Sequence, residues 1–237
     1  MKKYFFLLIL TFSSQVFASN FFKNCDAVLD KPEFQKLNEF FSTNDKFNNT
    51  DNPLPPDMCF RLNNNYFLFT IVDTGNLSQG LYFYNEKTDK FGQDEGKYYP
   101  NIAIEKEFLG AHNKKFVLLS GGMLKHGNLQ HWFTILNLTP TKTGKPYIHY
   151  DLIDAVENGD SGMCGEVSQD SRNYDKDFIP MYVSAGKATA ISSYKIFNEG
   201  TGAVNIVFDV KEQNCKTMVQ KNLKKTFALK DGRFVEK

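Results

Sequence analysis

Along most of the chain the apolar positions fall into short runs rich in β-branched and aromatic residues, separated by polar stretches punctuated by Gly, Asn, Asp and Pro. That pattern predicts strands joined by turns. The clearest case is residues 116–138, where apolar runs at 116–119 and 131–138 flank a glycine-containing polar stretch, 121–130. Strand, turn, strand is the reading there. Similar hairpins recur at 66–84 and 190–210, and the predicted strands are 66–72, 81–84, 102–104, 116–119, 131–138, 147–153, 181–183, 188–197, 204–210, 218–219, 226–229 and 234–235. Turn signals lie between them, at 85–90, 141–145 and 230–233.

One segment near the start has a different period. Phe34, Leu37, Phe40 and Phe41 recur at helical spacing, Asp30 stands at a capping position, Pro32 suits a first turn and Glu33 follows Asp30 by three. A short helix over about 30–43 is predicted, with one apolar face that needs a surface to pack on. Residues 44–57 are rich in Asn and Pro and predict a loop. The fold expected is all-β over residues 19–237, taken as a single domain: an antiparallel sandwich or open barrel of repeated hairpins with a short N-terminal helix. A small β-propeller-like stack is the alternative. The hairpins leave on Asn85, Asn137 and Asp209 as blades would, but their unequal spacing departs from the fixed period that a propeller requires.

Residues 1–18 read as a secretory leader: Lys2 and Lys3, an apolar run at 5–12, and Val16-Phe17-Ala18 as the cleavage site. The run is shorter than the roughly 20 apolar residues that span a bilayer, so no membrane insertion is expected. A periplasmic or secreted location follows, and the short Lys-Lys leader reads as bacterial. Net charge is +1, from 28 basic and 27 acidic side chains. So even a balance gives no long-range attraction to nucleic acid or anionic lipid. Four cysteines in an exported chain predict two disulfides. Of the three connectivities, Cys25 with Cys59 and Cys164 with Cys215 is preferred, because each bond then closes a loop within one half of the chain. Zinc is not expected, for want of a Cys-x-x-Cys or Cys-x-x-His spacing.

Candidate chemistry is sparse. Gly159-Asp160-Ser161-Gly162 resembles the nucleophile turn of chymotrypsin-like serine proteases, and Ala111-His112 matches the alanine before those enzymes' histidine. The separation of His112 from Ser161 leaves no room for the two barrels of that family, however, and Met163 and Cys164 stand where it continues with Gly and Pro. An ordinary turn is the reading. His112, His126, His131 and His149 offer imidazoles without carboxylates at ligand spacing, and Asp170, Asp175 and Asp177 lack the spacing of a calcium loop. No metal and no cofactor is expected. If His131 opens a strand, it shares a face with Phe133 and Ile135, and Trp132 shares the other with Thr134 and Leu136.

Function is reached by elimination. The chain reads as a binding protein more than an enzyme: an exported envelope protein that contacts another protein through loops, for instance as an inhibitor or immunity factor against a toxin. A hydrolase acting on envelope polymers or peptides is the alternative. The contact surface expected is the stretch 121–130 together with 160–177, with Trp132, His131, His126 and Asn128 as binding residues.

Overall fold

The computed structural model describes residues 23–45, 47, 56–62, 65–73, 78–93, 102–125, 128–139, 141, 145–158, 163–164 and 186–237. The leader, the 160–162 turn, the 181–183 run and the calcium candidates Asp170, Asp175 and Asp177 lie outside these residues. The described part is all-β with one short helix, built as three antiparallel sheets in which strands follow one another in chain order. The first sheet holds β1 (Lys23–Asn24), β2 (Pro56–Arg61), β3 (Tyr66–Asp73), β4 (Ser78–Asn85) and β5 (Lys90–Gln93). The second holds β6 (Ala103–Leu109), β7 (Lys115–Lys125), β8 (Asn128–Asn137) and β9 (Ile148–Asn158). The third holds β10 (Lys187–Phe197), β11 (Asn205–Asn214), β12 (Gln220–Lys230) and β13 (Arg233–Glu236).

Local chemistry sets the hairpins. Between β12 and β13 the two-residue turn Asp231-Gly232 has both φ values positive, 49° and 80°, the backbone that matches the twist of a tight hairpin. Between β4 and β5 the Asn85 side chain accepts from the backbone N–H groups of Lys87 and Thr88, holding the turn from the inside. That turn is shorter than the polar composition suggests, so the residues just after it form β5. Likewise β2 begins at Pro56, inside the stretch expected to be loop. A proline is tolerated at the first position of a strand, where its missing N–H breaks no ladder bond.

The helix α1 (Gln35–Thr43) follows a single 3-10 turn at Pro32–Phe34. Asp30 caps neither of them: Lys31 is the cap residue of the 3-10 turn and Phe34 that of α1, each without a side-chain bond. The apolar face of α1 is the one the spacing predicts. Leu37, Phe40 and Phe41, with Phe34 and Phe47, are buried on Phe67, Phe69, Tyr82 and Tyr84 of β3 and β4, and Phe40 stacks on Tyr84 at 4.4 Å between ring centroids. Disulfides Cys25–Cys59 and Cys164–Cys215 are both formed, in the preferred pairing.

The sheets stack face to face. The side of the first sheet away from α1 gives Leu68 and Leu81, which join Val117, Leu119, Trp132 and Leu136 of the second. From the opposite face of the second sheet, Phe116, Leu118, Phe133, Ile135 and Ile153 pack on Ile206, Phe208, Val210 and Phe227 of the third. The second sheet is thus apolar on both sides at its centre, where β7 and β8 carry apolar runs at 116–119 and 132–136 rather than strict alternation. Among the described residues no core cluster joins the first sheet to the third. Packed antiparallel sheets are therefore the architecture, arranged as a row of layers.

The stretch 121–130 is a correction. It is strand almost throughout, because β7 runs on to Lys125 and β8 begins at Asn128. Gly121 and Gly122 serve close approach and not a turn. Gly121 pairs with Trp132 across the ladder, and a Cβ at Gly121 would lie 2.1 Å from Cζ2 of the indole. The ring lies over the bare backbone, as aromatics do over glycine in sheets.

Candidate functional site

The interior between the second and third sheets changes character along its length. At one end it is a row of phenylalanines, with Phe133 set 5.0 Å from Phe208 and 5.6 Å from Tyr194. Towards the β7–β8 connection the same face becomes polar: Ser120, the ladder partner of Phe133, then His131. His131 shares the face of Phe133 and Ile135, as the strand alternation predicts, and its ring lies 4.9 Å from that of Phe133.

Two small residues open a gap there. In the ladder His131 stands between Gly122 on β7 and Ala155 on β9, so neither neighbouring strand covers the imidazole with a large side chain. Ala155 reaches this register because a bulge shifts β9 by one residue next to Phe133. Facing them, β10 presents Thr189, Ala190 and Ile191. The result is a cleft of about 140 Å³, with Leu129 at its lip, 37% exposed, and Glu157 on its wall.

A second bulge brings another charge close enough to act on His131. The β6–β7 register slips between Ile104 and Lys106, which leaves Glu105 unpaired in the ladder and turns it to Ser120. The Ser120 hydroxyl donates to the Glu105 carboxylate at 2.5 Å. On the other side stands Tyr194, whose hydroxyl is pushed up to about 12, first by burial and then by the charge and hydrogen bond of Glu105. Burial lowers the pKa of His131, with the Glu105 charge pulling the other way. Burial raises that of Glu157, opposed by Lys211.

The Ser120 hydroxyl donates to Glu105 and not to His131, so the two do not form a serine–histidine pair. His131 near neutral pH offers one ring nitrogen as acceptor and the other as donor. Glu157 makes no hydrogen bond or ion pair with a described residue.

The other expected site residues are dispersed. Trp132 is 3% exposed, packed between the first and second sheets on the far side of the ladder from the cleft, so what it contributes is core packing. Asn128 opens β8 opposite Lys125 and Asn158, at the same end as the cleft, while His126 and Ser161 lie outside the described residues. His112 sits in the exposed turn between β6 and β7 with φ 56°, and His149 bonds to Asp151 at 3.0 Å. Among the described residues no three His, Cys, Asp or Glu groups gather as a metal site would require. Reading by sequence missed Glu105, Ser120, Glu157, Thr189 and Tyr194. Only Ser120, a lone hydroxyl ending an apolar run, left a trace; Glu105 owes its position to a bulge, which leaves no mark in composition.

Compared with known proteins, the chain matches no family model, no curated protein and no solved structure.

Proposed function

We propose that the chain is an exported binding protein of the bacterial cell envelope that engages another protein, as an inhibitor or immunity factor does, at the His131 end of its second and third sheets. The observation that carries this reading is the cleft. At about 140 Å³ it is well below the roughly 300–1,000 Å³ typical of small-molecule sites, and it suits one inserted side chain. Anchoring pockets of that kind, on a rigid scaffold and ringed by partly exposed apolar groups, concentrate binding energy in protein interfaces. Export is supported by the leader pattern at 1–18 and by two disulfides, which persist in oxidising compartments.

The test uses the tagged chain expressed in its own host, with crosslinking before purification. Parent and Leu129→Arg are compared for what they retain. A protein held by the parent and reduced at least tenfold by Leu129→Arg, with the melting temperature of the variant unchanged, supports the reading. Equal retention by both places the contact elsewhere.

A further inference from the structure

Resting on that binding reading, we propose that the cleft beside His131 is a socket for a single primary ammonium group, the end of a lysine side chain presented by the protein partner. The lining divides by chemistry. Leu129, Ala155 and Ile191 offer an apolar wall, which matches the four-methylene stem of lysine. Glu157, His131 and Thr189 bring a carboxylate, an imidazole and a hydroxyl to the same cleft. An ammonium carries three N–H donors and no acceptor, so three acceptor-bearing groups are its natural complement.

Charge selects in the same direction. Glu157 is the one fixed negative group lining the cleft, half-buried, and it has no hydrogen-bonding or ion-pair partner among the described residues. A carboxylate withdrawn from water without a partner is unfavourable, and an incoming cation relieves this. His131 opposes nothing, because burial favours its neutral form, and Glu105 behind it adds negative potential. The nearby cation is Lys211, the ladder partner of Ala190 on β11; it acts on Glu157 by charge alone and does not line the cleft. A guanidinium fits less well. It is planar and bulkier than an ammonium in a cleft of about 140 Å³, and its five N–H donors outnumber the three acceptor-bearing groups that line it.

The test titrates the intact protein with n-butylammonium, following the His131 ring proton by NMR. Comparison probes are n-butanol, tetramethylammonium and n-butylguanidinium. Saturable binding of n-butylammonium is expected, at least tenfold tighter than any of the three. Glu157→Gln should weaken it at least tenfold, while Lys211→Met, which removes the competing cation, should tighten it. Butanol or tetramethylammonium binding as well as butylammonium overturns the socket, as does undiminished binding to Glu157→Gln with its melting temperature preserved. A final arm separates protein lysine from a free amine. A protein captured by the parent is acetylated on its lysines and re-bound; loss of re-binding supports the proposal, and re-binding unchanged overturns it. If butylammonium fails while capture still depends on Leu129, the interface stands and the socket falls.

Discussion

At the scale of single residues, His131 is unusual for the company it keeps. Its ladder neighbours Gly122 and Ala155 are too small to cover it, yet the third sheet shields it enough to lower its pKa from the ordinary value of 6.5. Folding therefore disfavours its proton. As pH falls through 6.5 the unfolded chain takes up that proton first, so the contribution of His131 to stability declines from there down to the folded pKa and is constant below it. Glu107 and Glu157 act in the opposite sense. Burial raises both, so the fold gains as they protonate, in the window from their folded values down to the ordinary carboxylate range. Those two are common to parent and variant, which lets His131→Gln isolate the imidazole. Melting temperature measured from pH 7.5 to 5.5 should drop more steeply for the parent than for His131→Gln; parallel profiles would refute the desolvated-histidine account.

At the scale of elements, the hairpin of β7 and β8 shows what a glycine in a strand is for. Gly121→Ala would put a methyl into the Trp132 indole, and since that ring is core between two sheets, it cannot swing to solvent. The substitution should cost about 1–3 kcal/mol, as overpacked cores do, and shift the emission of the single tryptophan. Urea unfolding followed by that fluorescence measures both, and a parent-like midpoint would show that the close approach is dispensable. The same hairpin marks how far the sequence could be read. Strand cores such as 66–72 and 188–197 were legible because apolar, β-branched residues crowd them, and α1 because Phe34, Leu37, Phe40 and Phe41 repeat at its period. Strand ends were not. Residues 121–125 look like a loop because glycine usually signals one, and β5, Lys90–Gln93, carries too few apolar groups to separate it from its turn. The candidate site was less legible still, since it depends on two bulges and on which strand of the third sheet faces His131.

At the scale of the whole molecule, layers are finished differently at the two ends. Aromatic side chains of α1 cover the outer face of the first sheet. The outer face of the third is closed by charge, with Asp209 accepting from Ser193 at 2.7 Å and lying 3.8 Å from Lys224. A polar face of this kind discourages further stacking. The disulfides fasten the margins: Cys25–Cys59 joins the segment leading to α1 to β2, and Cys164–Cys215 reaches the turn after β11. Each should contribute on the order of 2–4 kcal/mol. Cys164→Ser with Cys215→Ser should lower the melting temperature, and thiol titration of the denatured parent should find none before reduction and four after. Four thiols before reduction would remove both bonds from the account. The chain-order topology also bears on assembly in time. For a polypeptide delivered N-terminus first, each described strand meets its partner as soon as the next described strand of its sheet arrives, and among the described residues no sheet waits for a strand that follows another sheet. Cys25 and Cys59 are both available before Cys164 has emerged, so the first bond closes when no wrong thiol is present, and the second has only its own partner left.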